Sequence, residues 1–202
     1  MKLYYSPGAC SLSPHIALRA VGAEFELVRV DTRTKKLLNG DDFLAINPKG
    51  YVPTLELDDG EILTEGPAIV QYIADHHPDA HLAPENGTMA RTRLQEWLNF
   101  ITTELHKQYS PLFSASSSEE VKAAQRAMIS RRIEYVAAQL GHRPFLLGET
   151  YSVADGYLFT VLRWSKWVNI DLSPWPVIVA YMARVAALPA VHAAMAAEGL
   201  KG

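Results

Sequence analysis

Hydrophobic positions change their period along the chain. Up to about residue 80, short strand-like runs alternate with helical ones. Residues 1–5, 26–30, 52–57 and 62–63 read as strands. Residues 12–21 and 67–77 read as helices, the second with a proline in its first turn, and 41–46 as a short helix that Pro48 stops. Asp58-Asp59-Gly60 between the last two runs is a hairpin signal, because Asp-Gly supplies the left-handed backbone that a tight turn needs. The order βαβ, short helix, ββα predicts a small mixed sheet with helices packed against it. A polar stretch with glycine and proline follows at 81–87. Beyond it, 89–109, 119–141, 153–168, 176–187 and 190–197 carry helical periodicity, and Ser152-Val153-Ala154-Asp155 reads as a capping box opening the third. The expected organisation is an α/β domain over residues 1–80, a linker over 81–87 and an all-α domain over 88–202.

Composition narrows this picture. With 19 basic and 22 acidic residues the net charge is −3, which gives no basic surface for nucleic acid or an anionic membrane. Apolar residues make up 49% and charged residues 20%, as in soluble globular proteins. No apolar run is long enough to span a bilayer. Met1-Lys2-Leu3-Tyr4-Tyr5 lacks the apolar core and small-residue cleavage site of a signal peptide. One unpaired cysteine without an export signal points to a reducing cytoplasm.

That cysteine, Cys10, sits where the first strand pattern gives way to a helix pattern. A thiol at a helix N-terminus meets unpaired N–H groups and the positive end of the helix dipole, and both favour the thiolate. Ser11 beside it is a second candidate for activating a sulfur. A lone cysteine also fits as a small core residue. Val52-Pro53 opens a strand with a residue that cannot donate to a ladder. If that bond is cis, the N–H and C=O of Val52 can pair with an extended ligand backbone. Glu65 and the N–H of Gly66, opening the next helix, suit an amino-acid head group, although Glu65 also fits as a helix-start charge. Lys35-Lys36, in the connection after the second strand, offers a cation for a carboxylate or lies in solvent. At 100° per residue, Leu94, Trp97, Leu98, Ile101 and Leu105 fall on one helix face, and Gln95, Asn99, Thr103 and His106 on the opposite one. That polar stripe meets water or lines a cleft, and His106 moves a proton near neutral pH. Taken together, the spacing accommodates an extended acidic peptide carrying a thiol. The seven histidines lack thiol or carboxylate companions at metal-ligand spacing, so no metal is expected. There is no glycine-rich phosphate loop and no Gly-x-Ser-x-Gly elbow.

The chain resembles the beta-class bacterial glutathione S-transferases. The residues that carry the resemblance are Pro7-Gly8-Ala9-Cys10-Ser11-Leu12, Asn47-Pro48-Lys49-Gly50-Tyr51-Val52-Pro53, Leu63-Thr64-Glu65-Gly66-Pro67, Glu96-Trp97-Leu98-Asn99, Glu104-Leu105-His106-Lys107 and Ser152-Val153-Ala154-Asp155-Gly156. Cys10 with Glu-Leu-His-Lys narrows the wider superfamily to this class. Asn169-Ile170-Asp171-Leu172-Ser173-Pro174-Trp175-Pro176 is similar to members associated with breakdown of aromatic pollutants. The resemblance implies a thioredoxin-like domain, a helical domain that forms an electrophile pocket, and a homodimer. It implies glutathione as co-substrate, lying against Cys10 and pairing with the backbone of Val52, with Pro53 cis. The glycine carboxylate is then expected near Lys35, and the γ-glutamyl group near Glu65 and Gly66. Asn99, Thr103, Glu104, Leu105 and His106 complete the expected site, some of it from the second subunit. Gly66 departs from the pattern, since many relatives have serine there.

The leading expectation is addition of glutathione thiolate to hydrophobic electrophiles, chlorinated aromatics among them, with Cys10, Ser11 and His106 as the catalytic candidates. Cys10 also supports a thiol-disulfide reductase or reductive dehalogenase working through a mixed disulfide. A non-catalytic carrier of hydrophobic ligands is the third expectation.

Overall fold

In the computed structural model, which describes residues 1–201, the first unit contains β1 (Lys2–Tyr5), α1 (Leu12–Ala20), β2 (Glu26–Asp31), β3 (Lys36–Leu37), β4 (Thr54–Glu56), β5 (Ile62–Thr64) and α2 (Gly66–His76). The strands form one sheet in the order β3-β2-β1-β4-β5. β1 is parallel to β2, with α1 as the crossover, and antiparallel to β4; Leu3 stands opposite Leu27 on one side and Leu55 on the other. The Asp-Gly hairpin forms as expected: β4 and β5 pair antiparallel with Leu55 opposite Leu63, and Gly60 takes φ +87°. Leu3 and Leu55 of the sheet are buried, as are Leu12 and Ile16 of α1 and Ile69 and Ile73 of α2. Tyr4, Val30, Phe43 and Val52 form a hydrophobic cluster.

Two local expectations change here. The run at 41–46 is a 3-10 turn over Phe43–Ala45, which the Asp42 carboxylate starts by accepting the Leu44 N–H. Lys36–Leu37 is a strand, paired antiparallel with β2, not an open connection.

The second unit runs from Pro84 to Ala187. It contains α3 (Met89–Phe100), a π-helical segment (Ile101–His106), α4 (Lys107–Phe113), α5 (Glu119–Leu140), α6 (Val153–Leu162), a 3-10 segment (Arg163–Trp167) and α7 (Pro176–Ala186). Every residue of α6 is buried. Its first turn is held by Asp155, which accepts from Ser152 N–H (2.9 Å), Ser152 Oγ (2.8 Å), Leu146 N–H (2.9 Å) and Tyr181 Oη (3.1 Å). The helix expected over 89–109 therefore differs in two ways: it passes Pro111 to end at Phe113, and it is interrupted by the π segment.

The division into domains also needs correction. α8 (Pro189–Ala197) packs on α1, so the chain from Leu188 onward joins the first unit, which otherwise spans Met1–Ala83. Helical periodicity shows that 190–197 is a helix and carries no information about the layer it joins.

Candidate functional site

The turn before α1 sets Cys10. Gly8 takes φ +72°, Ala9 N–H donates to Ser6 C=O (3.0 Å), and Leu12 N–H donates to Ala9 C=O (3.0 Å). The Gly8 N–H donates to Glu198 Oε2 at 2.8 Å, across 190 residues of sequence. The other carboxylate oxygen, Oε1, lies 2.8 Å from His15 Nδ1, and both side chains are fully buried. Arg19 Nε donates to His15 Nε2 at 3.3 Å, so the ring proton lies on Nδ1 and points at Glu198. This chain of contacts braces the cysteine turn. Cys10 itself is half-buried, and its thiol donates to the carbonyl of Val52 at 3.1 Å. Ser11 does not fulfil its expected role as a sulfur-facing hydroxyl. It is fully buried, its Oγ donates to Ser6 C=O and accepts the Ser6 N–H (3.2 Å each), and so it closes the turn from within.

The loop leading to Val52 is equally determined. Asn47 is buried; its Nδ2 donates to Tyr51 C=O and Thr54 Oγ1 (2.9 Å each), and its Oδ1 accepts the Lys49 N–H (3.1 Å). The Val52–Pro53 bond is cis, and Val52 lies just outside the β4 ladder. Gly66, the first residue of α2, has its Cβ direction 3.8 Å from Pro53 Cγ. Cys10, Val52, Pro53, Gly66 and Glu65 therefore form one contiguous row. Glu65 starts α2 with its carbonyl, which accepts the Ala68 and Ile69 N–H groups (3.0 Å each). Its exposed carboxylate is paired with Lys49 Nζ at 2.8 Å, and Lys49 also reaches Thr64 Oγ1 at 2.9 Å. Lys35 crosses the loop to donate to Gly50 C=O (2.7 Å), with Nζ 5.4 Å from the centre of the Tyr51 ring. Asn47, Lys49 and Glu198 were not singled out from the sequence. Asn47 and Lys49 lie inside the motif that contains Val52-Pro53, which was the available signal; nothing local marks Glu198.

In the second unit the residues expected on one helix face separate. Gln95, Asn99 and Thr103 are exposed, with Asn99 Nδ2 donating to Gln95 C=O (2.9 Å) and Thr103 Oγ1 to Asn99 C=O (3.1 Å). His106 has turned inward: Nδ1 is 2.6 Å from Tyr157 Oη, and the ring meets Trp164 edge-on at 4.9 Å between centres. The i→i+5 bonding of the π segment turns each residue through less than the 100° assumed, so His106 falls behind the stripe. Leu105 is fully buried in the helical core and presents no side chain to a ligand. Glu104 is ion-paired with Arg132 at 2.7 Å. Trp164 also packs edge-on against Tyr109 (5.6 Å) and Phe113 (6.0 Å), and Phe113 is 53% exposed. Burial pushes the Tyr109 phenol up to about 12, against the opposing effect of its bond to Ser165. Among the described residues no group of three or more His, Cys, Asp or Glu is placed to hold a metal ion.

The sulfur at the start of the first helix, donating to the backbone carbonyl of Val52, is joined by what comparison shows. Residues 1–75 match the model of the glutathione S-transferase N-terminal domain and 100–189 that of the C-terminal domain. Glutathione S-transferase GstA of Escherichia coli O157:H7 is 49% identical over 201 residues, covering 100% of each chain. The solved ternary complex of BphK, a bacterial GST, is 61% identical with a TM-score of 0.97, covering 99% of this chain and 100% of that one. The beta-class glutathione S-transferase of Sphingomonas chungbukensis is 50% identical with a TM-score of 0.96, covering 100% of both chains. The chain belongs to the glutathione S-transferase family, in its bacterial beta class, and is a glutathione transferase.

Proposed function

We propose that the enzyme conjugates the glutathione thiolate to small hydrophobic electrophiles, chlorinated aromatics among them, as a cytoplasmic homodimer that uses no metal. The observation that carries this reading is the Cys10 thiol, 3.1 Å from the carbonyl of Val52, a residue whose backbone lies outside the sheet ladder. A sulfur partner and a strand-like pairing site coincide there, which is what a thiol-bearing extended peptide requires. Gly66 and Glu65 continue the row and suit the γ-glutamyl end; Lys35 suits the glycine carboxylate. His106 receives the thiol proton and favours the thiolate. Asn99, Thr103 and Glu104 are further candidate contacts, supplied within the chain or by a second copy. The exposed face of Phe113 beside Trp164 suits a flat apolar electrophile. Trp97, Phe100 and the 47% exposed Tyr135 form an aromatic surface on α3 and α5 suited to a second copy.

The same coincidence at Cys10 favours a second reading, disulfide reduction or reductive dehalogenation through a Cys10–glutathione mixed disulfide. A panel of chlorinated aromatics and a glutathione-containing mixed disulfide, assayed with wild type and Cys10→Ala, separates the two. Conjugation retained and disulfide reduction lost in Cys10→Ala is the expected result. Loss of both assigns the main activity to the mixed disulfide, and no product from any aromatic chloride in either protein overturns conjugation of that class. Sedimentation is expected to give about twice the 22.4 kDa chain mass; a monomer overturns the dimer.

A further inference from the structure

We infer that Gln108 and Gln125 are positioning residues for His106: their coupled side-chain amides cap the carbonyl passed over where the π segment returns to α pitch, and so hold the pitch that turns the His106 ring inward. The inference starts from the backbone register. The segment Ile101–His106 bonds i→i+5, and its last such bond runs from the Lys107 N–H to the Thr102 C=O. α4 begins at Lys107 and bonds i→i+4, and in that register the Gln108 N–H faces the Glu104 C=O. A helix that returns from the wider register to the narrower one skips a carbonyl, here that of Thr103. The Gln108 side chain reaches back five residues to it: Nε2 donates to the Thr103 C=O at 2.9 Å.

The amide is itself held. A carbonyl can only accept, so Gln108 presents its NH2 group to Thr103 and its Oε1 to the other side. Gln125 on α5 donates to that Oε1 through Nε2 at 2.5 Å. Both amides thereby take a defined orientation, and α5, which packs along the π segment and α4, is tied to the place where the pitch changes. Buried side chains anchor the helix on either side, Leu94 and Leu98 before the segment and Tyr109 and Leu112 after it. The wider pitch is therefore absorbed between these anchors, where His106 lies.

The consequence lies within this unit. With the π pitch kept, His106 Nδ1 stands 2.6 Å from Tyr157 Oη and the ring meets Trp164 edge-on. One residue of an α-helix turns about 100°, so loss of the wider pitch carries the imidazole away from both rings, toward the exposed stripe of Asn99 and Thr103. Thr103 is exposed, and water can bond its carbonyl when a side chain does not. Water does not tie that carbonyl to α5. The paired amides thus supply stiffness at the change of pitch rather than a bond that solvent could not replace. This deepens the proposed function and rests on its use of His106 in turnover.

The test uses the full-length enzyme labelled with carbon-13 at histidine Cε1, as wild type, Gln108→Glu, Gln125→Glu and the double variant Gln108→Lys with Gln125→Glu. Gln108→Glu removes the donor to Thr103 and keeps an acceptor for Gln125; Gln125→Glu sets a carboxylate against Gln108 Oε1. In the double variant an ammonium group can donate both to the Thr103 C=O and to the carboxylate on α5, which rebuilds the link with different chemistry. The His106 signal, assigned with His106→Ala, reports the position of the imidazole beside the Trp164 ring. Each single variant should move that signal toward the position of an exposed histidine and lower kcat about fivefold with KM for glutathione little changed, a small part of what a proton-handling residue contributes. The double variant should recover both. A His106 signal unmoved in the two single variants overturns the inference. So does a signal that moves in them and is not recovered in the double variant, because general loosening of the helices gives that result. Failure of the underlying reading looks different: the signal then moves and recovers as inferred, while kcat is the same in all four proteins.

Discussion

The two units hold their candidate groups by opposite means. In the first, the residues sit at turns and element ends, and distant parts of the chain fix them: Glu198 holds the Gly8 amide, Asn47 holds the loop before Val52, and Glu65 adopts φ +71° to start α2. In the second, the residues lie along a nearly continuous helix, and a change of helical pitch decides which of them face inward. Turn-borne sites are punctuated by proline and glycine and can be read from sequence. Helix-borne sites are read through an assumed angle per residue, and one inserted π turn misplaces everything after it.

The sharpest way to break this comparison is to remove the distant brace. Glu198→Ala removes the carboxylate that accepts from the Gly8 N–H and leaves the His15 Nδ1–H buried without its acceptor, at a cost of about 3–5 kcal/mol. Glu198→Gln can still accept from Gly8, so it should lose clearly less. Urea unfolding of the three proteins measures both. If Glu198→Ala unfolds at the wild-type midpoint, the cysteine turn is held by its own local bonds, and the contrast between the units disappears.

What the sequence made legible follows the same division. Cys10 at a strand-to-helix junction, Pro53 just ahead of β4, the Asp-Gly hairpin and Asp155 of the capping box all act within a few residues, and each forms as expected. The two-residue strand Lys36–Leu37 is too short to show a period. The burial of Ser11 depends on Ser6 curling back over it, and the packing of α8 on α1 joins residues nearly a whole chain apart. The pairing of Glu65 with Lys49 spans sixteen residues and a hairpin. The orientation of His106 is what periodicity could not supply, because it depends on π-helical hydrogen bonds that an even 100° per residue leaves out.

A more local change probes the helical unit. Asp155→Asn puts an amide where two backbone N–H groups and two hydroxyls converge, and should cost about 2 kcal/mol near neutral pH. Burial holds the Asp155 carboxyl above the usual carboxylate range, outweighing those four hydrogen bonds. A folded value above the unfolded one means that the folded chain binds the proton more tightly. The stability this contributes is complete below the unfolded value of about 3.9 and is lost as pH rises through the folded value. The asparagine variant lacks this titration. The stability gap between the two proteins should therefore be widest in acid and narrow toward neutrality. A gap that widens as pH rises would show that the ionised carboxylate is the favoured form.

The smallest expected effect lies where this chain departs from many relatives, at Gly66. Its Cβ direction has 3.8 Å of clearance to Pro53 Cγ, an ordinary contact, and its backbone is outside the left-handed region, so a side chain fits without strain. Gly66→Ala should stabilise the fold by about 0.4–1 kcal/mol by narrowing the unfolded ensemble, with glutathione affinity unchanged. Gly66→Ser adds a hydroxyl beside the row that runs from Cys10 to Glu65. If the γ-glutamyl group lies there, the serine should tighten glutathione binding by about 0.5–1.5 kcal/mol relative to the alanine variant, the net value of one hydrogen bond. Comparing the two variants removes the backbone contribution, so calorimetric titration with glutathione reads the hydroxyl alone. Equal affinities would place the γ-glutamyl end away from Gly66 and confine the turn-built site to the sulfur, Val52 and Lys35.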